Sequence, residues 1–550
     1  GRTVTFAPTE PLSTYLFSFV AGEFSSTSAE MDGRRINMYY RETDERKLAQ
    51  CDEVLSLVCA SLTALEEYTG VPYPFAKYDL IVLPDFQYGG MEHTGATLYN
   101  DRRIFLGERP TTSELLSRAS LIAHETAHMW FGDYVTMRWF NDVWTKEVFA
   151  NHFASKIVSP LFPQVDGHLG DMRSYWAASY NEDRTPGSNA IRRPLDNLDK
   201  AGLIYCNIIY DKAPVVMDKL ERALGPDLFR AGIRNYLRDF GYANADWDDL
   251  IASFPQKQGL DLREWSHVWI DERGMPEYAV SCDGGQIRVT QSDPFDAGNI
   301  WRQDVELDVY GGGVRQRVTV DADAAVKEVQ MPFKVDAVIP NADGYTYGWF
   351  RLDDVQARFL MDAYCSLDDD AERFSVLMTL FENTLRGVMD ADEFIAWTAS
   401  ALQAEKVGLV ADSMMGYASR IAAMHGGSAV LERALSDICH DVAAPHEKRL
   451  LALRTLSQIS RDVATADELL AIWQARRPFE GMVLGENDYS SLATQLMLRF
   501  PEKASEIRTE QISRLSNQDR RATFEYVSKA ALADVSVRDS LFATMLTPEG

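Results

Sequence analysis

The six cysteines of this chain, at 51, 59, 206, 282, 365 and 439, are scattered along 550 residues, and no two are spaced C-x-x-C. That argues against both a disulfide framework and a thiolate zinc site. No run of 18 or more residues is uniformly apolar, so no segment is expected to span a membrane. Basic residues are scarce against acidic ones: Lys and Arg total 55, Asp and Glu 82, for a formal charge of −27. A field of that sign repels phosphate backbones and argues against nucleic acid as a partner. It serves solubility first, and it favours cationic ligands, a peptide's free ammonium among them. Histidine is rare too, at nine in the chain. Low-complexity tracts, flexible linkers and strict repeats are missing.

What is present is ordinary in bulk: 46% hydrophobic and 25% charged residues, as in globular proteins. The length exceeds what one core organises, so three or four domains are expected. The chain opens Gly1-Arg2-Thr3 without an apolar signal segment. A soluble protein of the cytoplasm or the cell envelope is the expectation.

Residues 1–45 read as β, with "YLFSFVAGEF" and "RRINMYYRE" as short strands. From residue 46 the pattern turns helical, with Val54, Leu55, Val58, Leu62 and Leu65 on one face and Gly70 at the stop. "YDLIVLPDF" reads as a buried strand. A second helix is predicted over 112–131, capped by Thr112 or Ser113 and ended by Gly132. A third is predicted over 142–159, closed by Pro160. More helix extends to about 270, with a loop near "NEDRTPGSNAIRRP". Alternating runs over 277–350 suit a small β-sandwich. From 351 the chain is successive amphipathic helix, closer to a solenoid than to a bundle.

One segment carries chemistry: "LIAHETAHMWFGDYVTMRWFNDVWTKEVFANHF". His124 and His128 are four apart on a predicted helix, so both imidazoles leave one face and can share an ion. H-E-x-x-H is the signature of zinc peptidases, with the intervening Glu125 as general base. A catalytic zinc takes three protein ligands and keeps one position open. Glu147 follows His128 after 18 residues, and a helix–turn–helix can fold its carboxylate back onto the pair. Two imidazoles and one carboxylate, with no thiolate near, favour one Zn2+ over copper or iron.

These residues resemble the aminopeptidase N-like family of gluzincin metallopeptidases. "HETAHMWFGDYVT" and Trp144-x-x-Glu147 match its zinc motif, and "QYGGMEH" at 87–93 is similar to its exopeptidase motif, G-x-M-E-N. "IYDKAPVV" resembles the segment with its catalytic tyrosine, "WIDERGMP" the end of its catalytic domain, and "NADGYTYGWFRL" the strand closing its β-sandwich. The resemblance implies a multidomain α+β architecture. Its parts are the tail of an N-terminal β-domain at 1–45, a thermolysin-like zinc catalytic domain at 46–276, a β-sandwich at 277–350 and an α-helical, solenoid-like domain at 351–550. The sequence departs from the family in carrying His93 where Asn is usual, Lys146 and Val148 where Asn and Gly commonly flank the third ligand, and a short helical domain.

By the same resemblance, Tyr210 is the expected donor to the oxyanion of the transition state. Tyr205 competes for that role but lacks the Tyr-acid-Lys pattern. Gly89, Gly90, Met91 and Glu92 are expected to bind substrate, the glycines admitting an extended peptide along the strand and Glu92 meeting its free ammonium. Tyr88 is expected to wall the first side-chain site. Asp133 and Asp142 are expected either to support a ligand imidazole or to cap a helix. His93, His152 and His168 are expected to be structural or surface residues. The expected activity is zinc-dependent hydrolysis of the N-terminal bond of peptides. Its rivals are an endopeptidase, which needs no Glu92, an epoxide hydrolase of the same family, and a peptide-binding scaffold, which needs neither base nor tyrosine.

Overall fold

Alternating apolar residues fold 25–40 into a hairpin. The computed structural model of the protein describes residues 3–31 and 33–547, and in it β1 (Ser25–Met31) and β2 (Arg34–Tyr40) run antiparallel, with Ile36 and Met38 turned to the core. β2 then lies parallel to β3 (Tyr78–Leu83), an apolar run in which five of six residues are buried. β3 pairs with β5 (Thr97–Asn100), and the two-residue β4 (Gly90–Met91) closes the order β1-β2-β3-β5-β4. One sheet therefore crosses residue 45, the boundary expected from the sequence. "YLFSFVAGEF" is not a strand: it holds one tight turn at Thr14–Leu16, with Phe17 and Phe19 exposed. Its backbone pairs with no strand among the described residues, and Leu16 turns inward.

Helix α1 (Cys51–Thr69) buries Val54, Leu55, Val58, Leu62 and Leu65 and ends at Gly70, whose φ of 71° suits a residue without Cβ. With its preceding turn, Glu45–Thr69 is long and apolar enough to cross a membrane, at a mean hydropathy of 1.4. Its apolar stripe is part of the main core, as expected for a core helix. Helix α2 (Thr112–Ala127) starts from a capping box between Thr111 and Glu114, one residue before the expected cap. Helix α3 (Trp144–Leu161) carries Pro160 inside its last turn rather than just beyond it. α2 and α3 pack side by side.

Residues 277–351 form two small sheets with their own core of Tyr278, Val280, Ile287, Val289, Val305, Leu307 and Phe350. Helices follow one another from Asp354 to Met545. This helical region returns to the N-terminal half of the chain at several points. Glu447 accepts hydrogen bonds from the backbone N–H and hydroxyl of Thr112, at 2.6 and 2.9 Å. A carboxylate on the first turn of α2 opposes the positive end of the helix dipole. Arg520 pairs with Glu42, and Arg173 with Asp412.

Candidate metal and substrate site

The turn after α2 sets the site. Two hydrogen bonds to Ala127 O wind the chain tight at Trp130 and Phe131, and Gly132 then takes a φ of 130°. The reversal brings α3 back against α2, so that Glu147 in its first turn faces His124 and His128. His124 Nε2 and His128 Nε2 lie 3.0 Å apart, and Glu147 Oε2 lies 3.4 and 3.5 Å from them. Donors held tetrahedrally at zinc–ligand distances of about 2.0–2.1 Å are roughly 3.3 Å apart, so the spacing fits such an ion.

The outer contacts orient the rings. His128 Nδ1–H donates to the Phe131 carbonyl at 3.0 Å, and His124 Nδ1–H to Asn151 Oδ1 at 2.7 Å. Asn151 Nδ2 in turn donates to the Tyr210 carbonyl at 2.7 Å. With both Nδ1 atoms protonated, the Nε2 lone pairs and the carboxylate converge on one point, which suits a cation. Asp133 and Asp142 take neither expected role. Asp133 accepts from Thr94 at 2.6 Å and Asp142 pairs with Arg192 at 2.8 Å. Asn151→Ala is expected to loosen zinc by ~10–100-fold, read by competition with a chelator. Unchanged affinity would remove Asn151 from the metal's support.

Glu125 stands beside this cluster. Burial outweighs the neighbouring His124 and raises its carboxyl well above the usual range. Its Oε2 is buried and meets no hydrogen-bond donor among the described residues. A Cβ on Gly90 would lie 2.3 Å from Glu125 Oε1, so only glycine lets the edge strand pass this close. Glu92, Glu125 and His128 form a second possible metal group, which shares His128 with the first.

Glu92 is 3% exposed, and Lys146 Nζ lies 2.5 Å from its Oε1. Burial pushes the Glu92 carboxyl up, and Lys146 with His128 outweighs it, holding the group down at about 2. Lys146 also reaches Glu147 Oε1 at 2.8 Å. Tyr15 completes the cluster, its hydroxyl 3.4 Å from Glu92 Oε1 and its ring 5.4 Å from Lys146 Nζ. Tyr210 sits in a π-helical turn, Ile208–Lys212, of a kind frequent at functional sites. Burial, then Glu147, raises its phenol, which stays protonated at neutral pH.

All of these side chains line one cleft of about 1060 Å³, together with Tyr88, Gly89, Gly90 and Met91. Tyr88 is 57% exposed at its rim. β4 pairs on one side with β5 and, among the described residues, has no strand on the other. The cleft continues along α2, past Ser117 and Ser113, to Leu409 of the helical region. His93 binds the Leu16 carbonyl, His152 faces Glu221, and His168 stacks on Tyr345, each a structural contact.

Residues 54–269 match the model of the peptidase family M1 domain. Over that stretch the chain is similar to the peptidase family M1 domain. It is similar to aminopeptidase N of Streptomyces lividans, at 27% identity over 74% of this chain and 50% of that protein. It is also similar to the puromycin-sensitive aminopeptidase of Caenorhabditis elegans, at 28% over 74% of this chain and 44% of that one. Aminopeptidase M1-A of Oryza sativa subsp. japonica is 30% identical over 54% of the chain and 34% of its own length. The chain thus spans half or less of the length of these relatives.

Sequence reasoning reached the two histidines, the three glutamates and Tyr210, and missed Asn151 and Tyr15 as parts of this site. Asn151 follows Glu147 by one helical turn, a spacing that places both on one face of α3. Tyr15 had no such signal, being 77 residues from Glu92.

Proposed function

We propose that the M1 region works as a zinc aminopeptidase, removing the N-terminal residue of peptides, with His124, His128 and Glu147 as ligands. The observation that carries the reading is the convergence of those three donors beside two buried carboxylates of opposite character: Glu92 held ionised by Lys146, and Glu125 raised by burial. The names of its relatives point the same way. Residues 46–276 are read as a thermolysin-like catalytic domain, 1–45 as its approach from a β-domain, and 277–350 and 351–550 as β-sandwich and solenoid-like domains.

A bound zinc polarises the scissile carbonyl and lowers the pKa of water toward neutrality. The chain's own groups do the rest. A peptide adds to the free edge of β4, since Gly89 and Gly90 put no side chain in its path. Glu92 takes the substrate ammonium and fixes the register, so that the first peptide bond lies over the ligands. Glu125 accepts the proton of the attacking water and passes it to the departing amine. Tyr210 donates its phenolic hydrogen to the oxygen that gains charge. Tyr88, at the rim, walls the first side-chain site.

A panel of aminoacyl-anilides tests the reading. Turnover of free-amine members is expected to vanish with chelator and return with zinc. Full activity under excess chelator would rule the proposal out.

A further inference from the structure

Lys146 precedes the proposed ligand Glu147, and its ammonium is buried to 5% exposure. An ammonium withdrawn from water that far is costly unless several acceptors surround it. Its acceptors are not arbitrary. Nζ contacts Oε1 of Glu92 at 2.5 Å and Oε1 of Glu147 at 2.8 Å. Oε2 of Glu147 is the oxygen that faces both histidine Nε2 atoms. Oε2 of Glu92 receives no hydrogen bond from the described residues, and Glu92 lines the cleft. Gly132 makes room for the lysine stem, since a Cβ there would press on Lys146 Cβ and Cδ at 3.3 Å. The Tyr15 ring closes over the ammonium.

We propose that Lys146 is a positioning residue that orients two carboxylates with one cation: by holding Oε1 of each, it turns Oε2 of Glu147 to the metal and Oε2 of Glu92 to the substrate's ammonium. The proposal rests on the function read above for those two glutamates. It makes amine recognition and metal ligation share one cation, whereas an uncharged amide offers two N–H donors but no charge to balance two buried carboxylates.

The test uses Lys146→Met and Lys146→Gln in the full chain, each checked for folding by thermal melting. Lys146→Gln keeps most of the stem and two N–H donors but removes the charge, and carries both measurements should Lys146→Met not fold. The first measurement is zinc affinity against a competing chelator, expected to weaken by ~10–100-fold, the range for losing a contact that orients a ligand. The second is the binding preference for an aminoacyl hydroxamate over the same hydroxamate without its amine, expected to fall by ~10-fold. In a Glu92→Gln background, Lys146→Gln should add little to the second loss, because the lysine acts through Glu92. A merely structural ion pair would lower the melting temperature and leave both readouts at the wild-type value, which overturns the proposal. If the wild-type protein hydrolyses no anilide while Lys146→Gln still loosens zinc, the aminopeptidase reading fails and the hold on Glu147 stands.

Discussion

Glu125→Gln is expected to keep its zinc and to lose at least ~100-fold in kcat on any anilide the wild type cleaves. The substitution is close to isosteric, so the buried space beside Gly90 stays filled and the fold is not asked to close a cavity. What changes is chemistry at one atom. Oε2 is buried without a donor, so it is free to accept a proton, and an amide has no lone pair basic enough to do so. Since the carboxyl is not one of the three converging donors, metal content should be unaffected. Near-normal turnover with full zinc would show that another group takes the proton. Loss of zinc together with activity would show that Glu125 belongs among the ligands.

The parts of the site that were legible in the sequence are those fixed by helix geometry. The i, i+4 spacing of His124 and His128 sets one face of α2, and no tertiary context was needed to see it. Glu147 was legible because Gly132 marks a reversal short enough to return α3 onto α2. The limits appear where distant segments meet. "YLFSFVAGEF" alternates like a strand, yet the hydrogen-bonding edge of the sheet is taken by 25–31, and the segment instead inserts Tyr15 beside Lys146. The start of α2 at Thr112 was read as it stands, but its cap was read late, because Thr111, Thr112 and Ser113 are equivalent as caps until Glu114 selects Thr111. The sequence also left open which polar groups hold the imidazoles. Asp133 and Asp142 were nearer in chain and charged, but Asn151 lies on the right face of α3 and a backbone carbonyl serves His128.

The packing of the helical region against α2 follows from the same ledger of charges. Glu447 sits on the first turn of the helix that ends in His124 and His128, and Arg454 bridges Glu114 of that turn to Asp488 at 3.0 and 2.8 Å. The helical region thus grips the end of α2 away from His124 and His128, while the cleft runs along the same helix between them. Away from Glu92 the cleft is lined by residues of α2 and by Leu409 of the helical region.

Glu92→Ala is expected to cut kcat/KM on free-amine substrates by ~10²-fold or more, with zinc content unchanged. A hundredfold loss corresponds to about 2.7 kcal/mol, within the range for a charge-assisted contact in a site shielded from water. The buried position of Glu92 is what makes the contact strong: at 3% exposure, solvent screens it little. Lys146 keeps the carboxylate ionised, so it offers a negative charge to an ammonium across the whole neutral range. The sign follows from the lowered carboxyl: the contact is present above that low value and is lost only in strong acid, well below the pH of ordinary assays. After the substitution Lys146 still has Glu147, so the ligand set keeps its support and metal should stay. The control is an N-acetylated peptide of the same sequence, which carries no ammonium for Glu92. The wild type is expected to leave it intact, because without the ammonium nothing sets the first bond over the ligands. Equal cleavage of acetylated and free peptides by the wild type would replace the exopeptidase with an endopeptidase, whatever Glu92→Ala does.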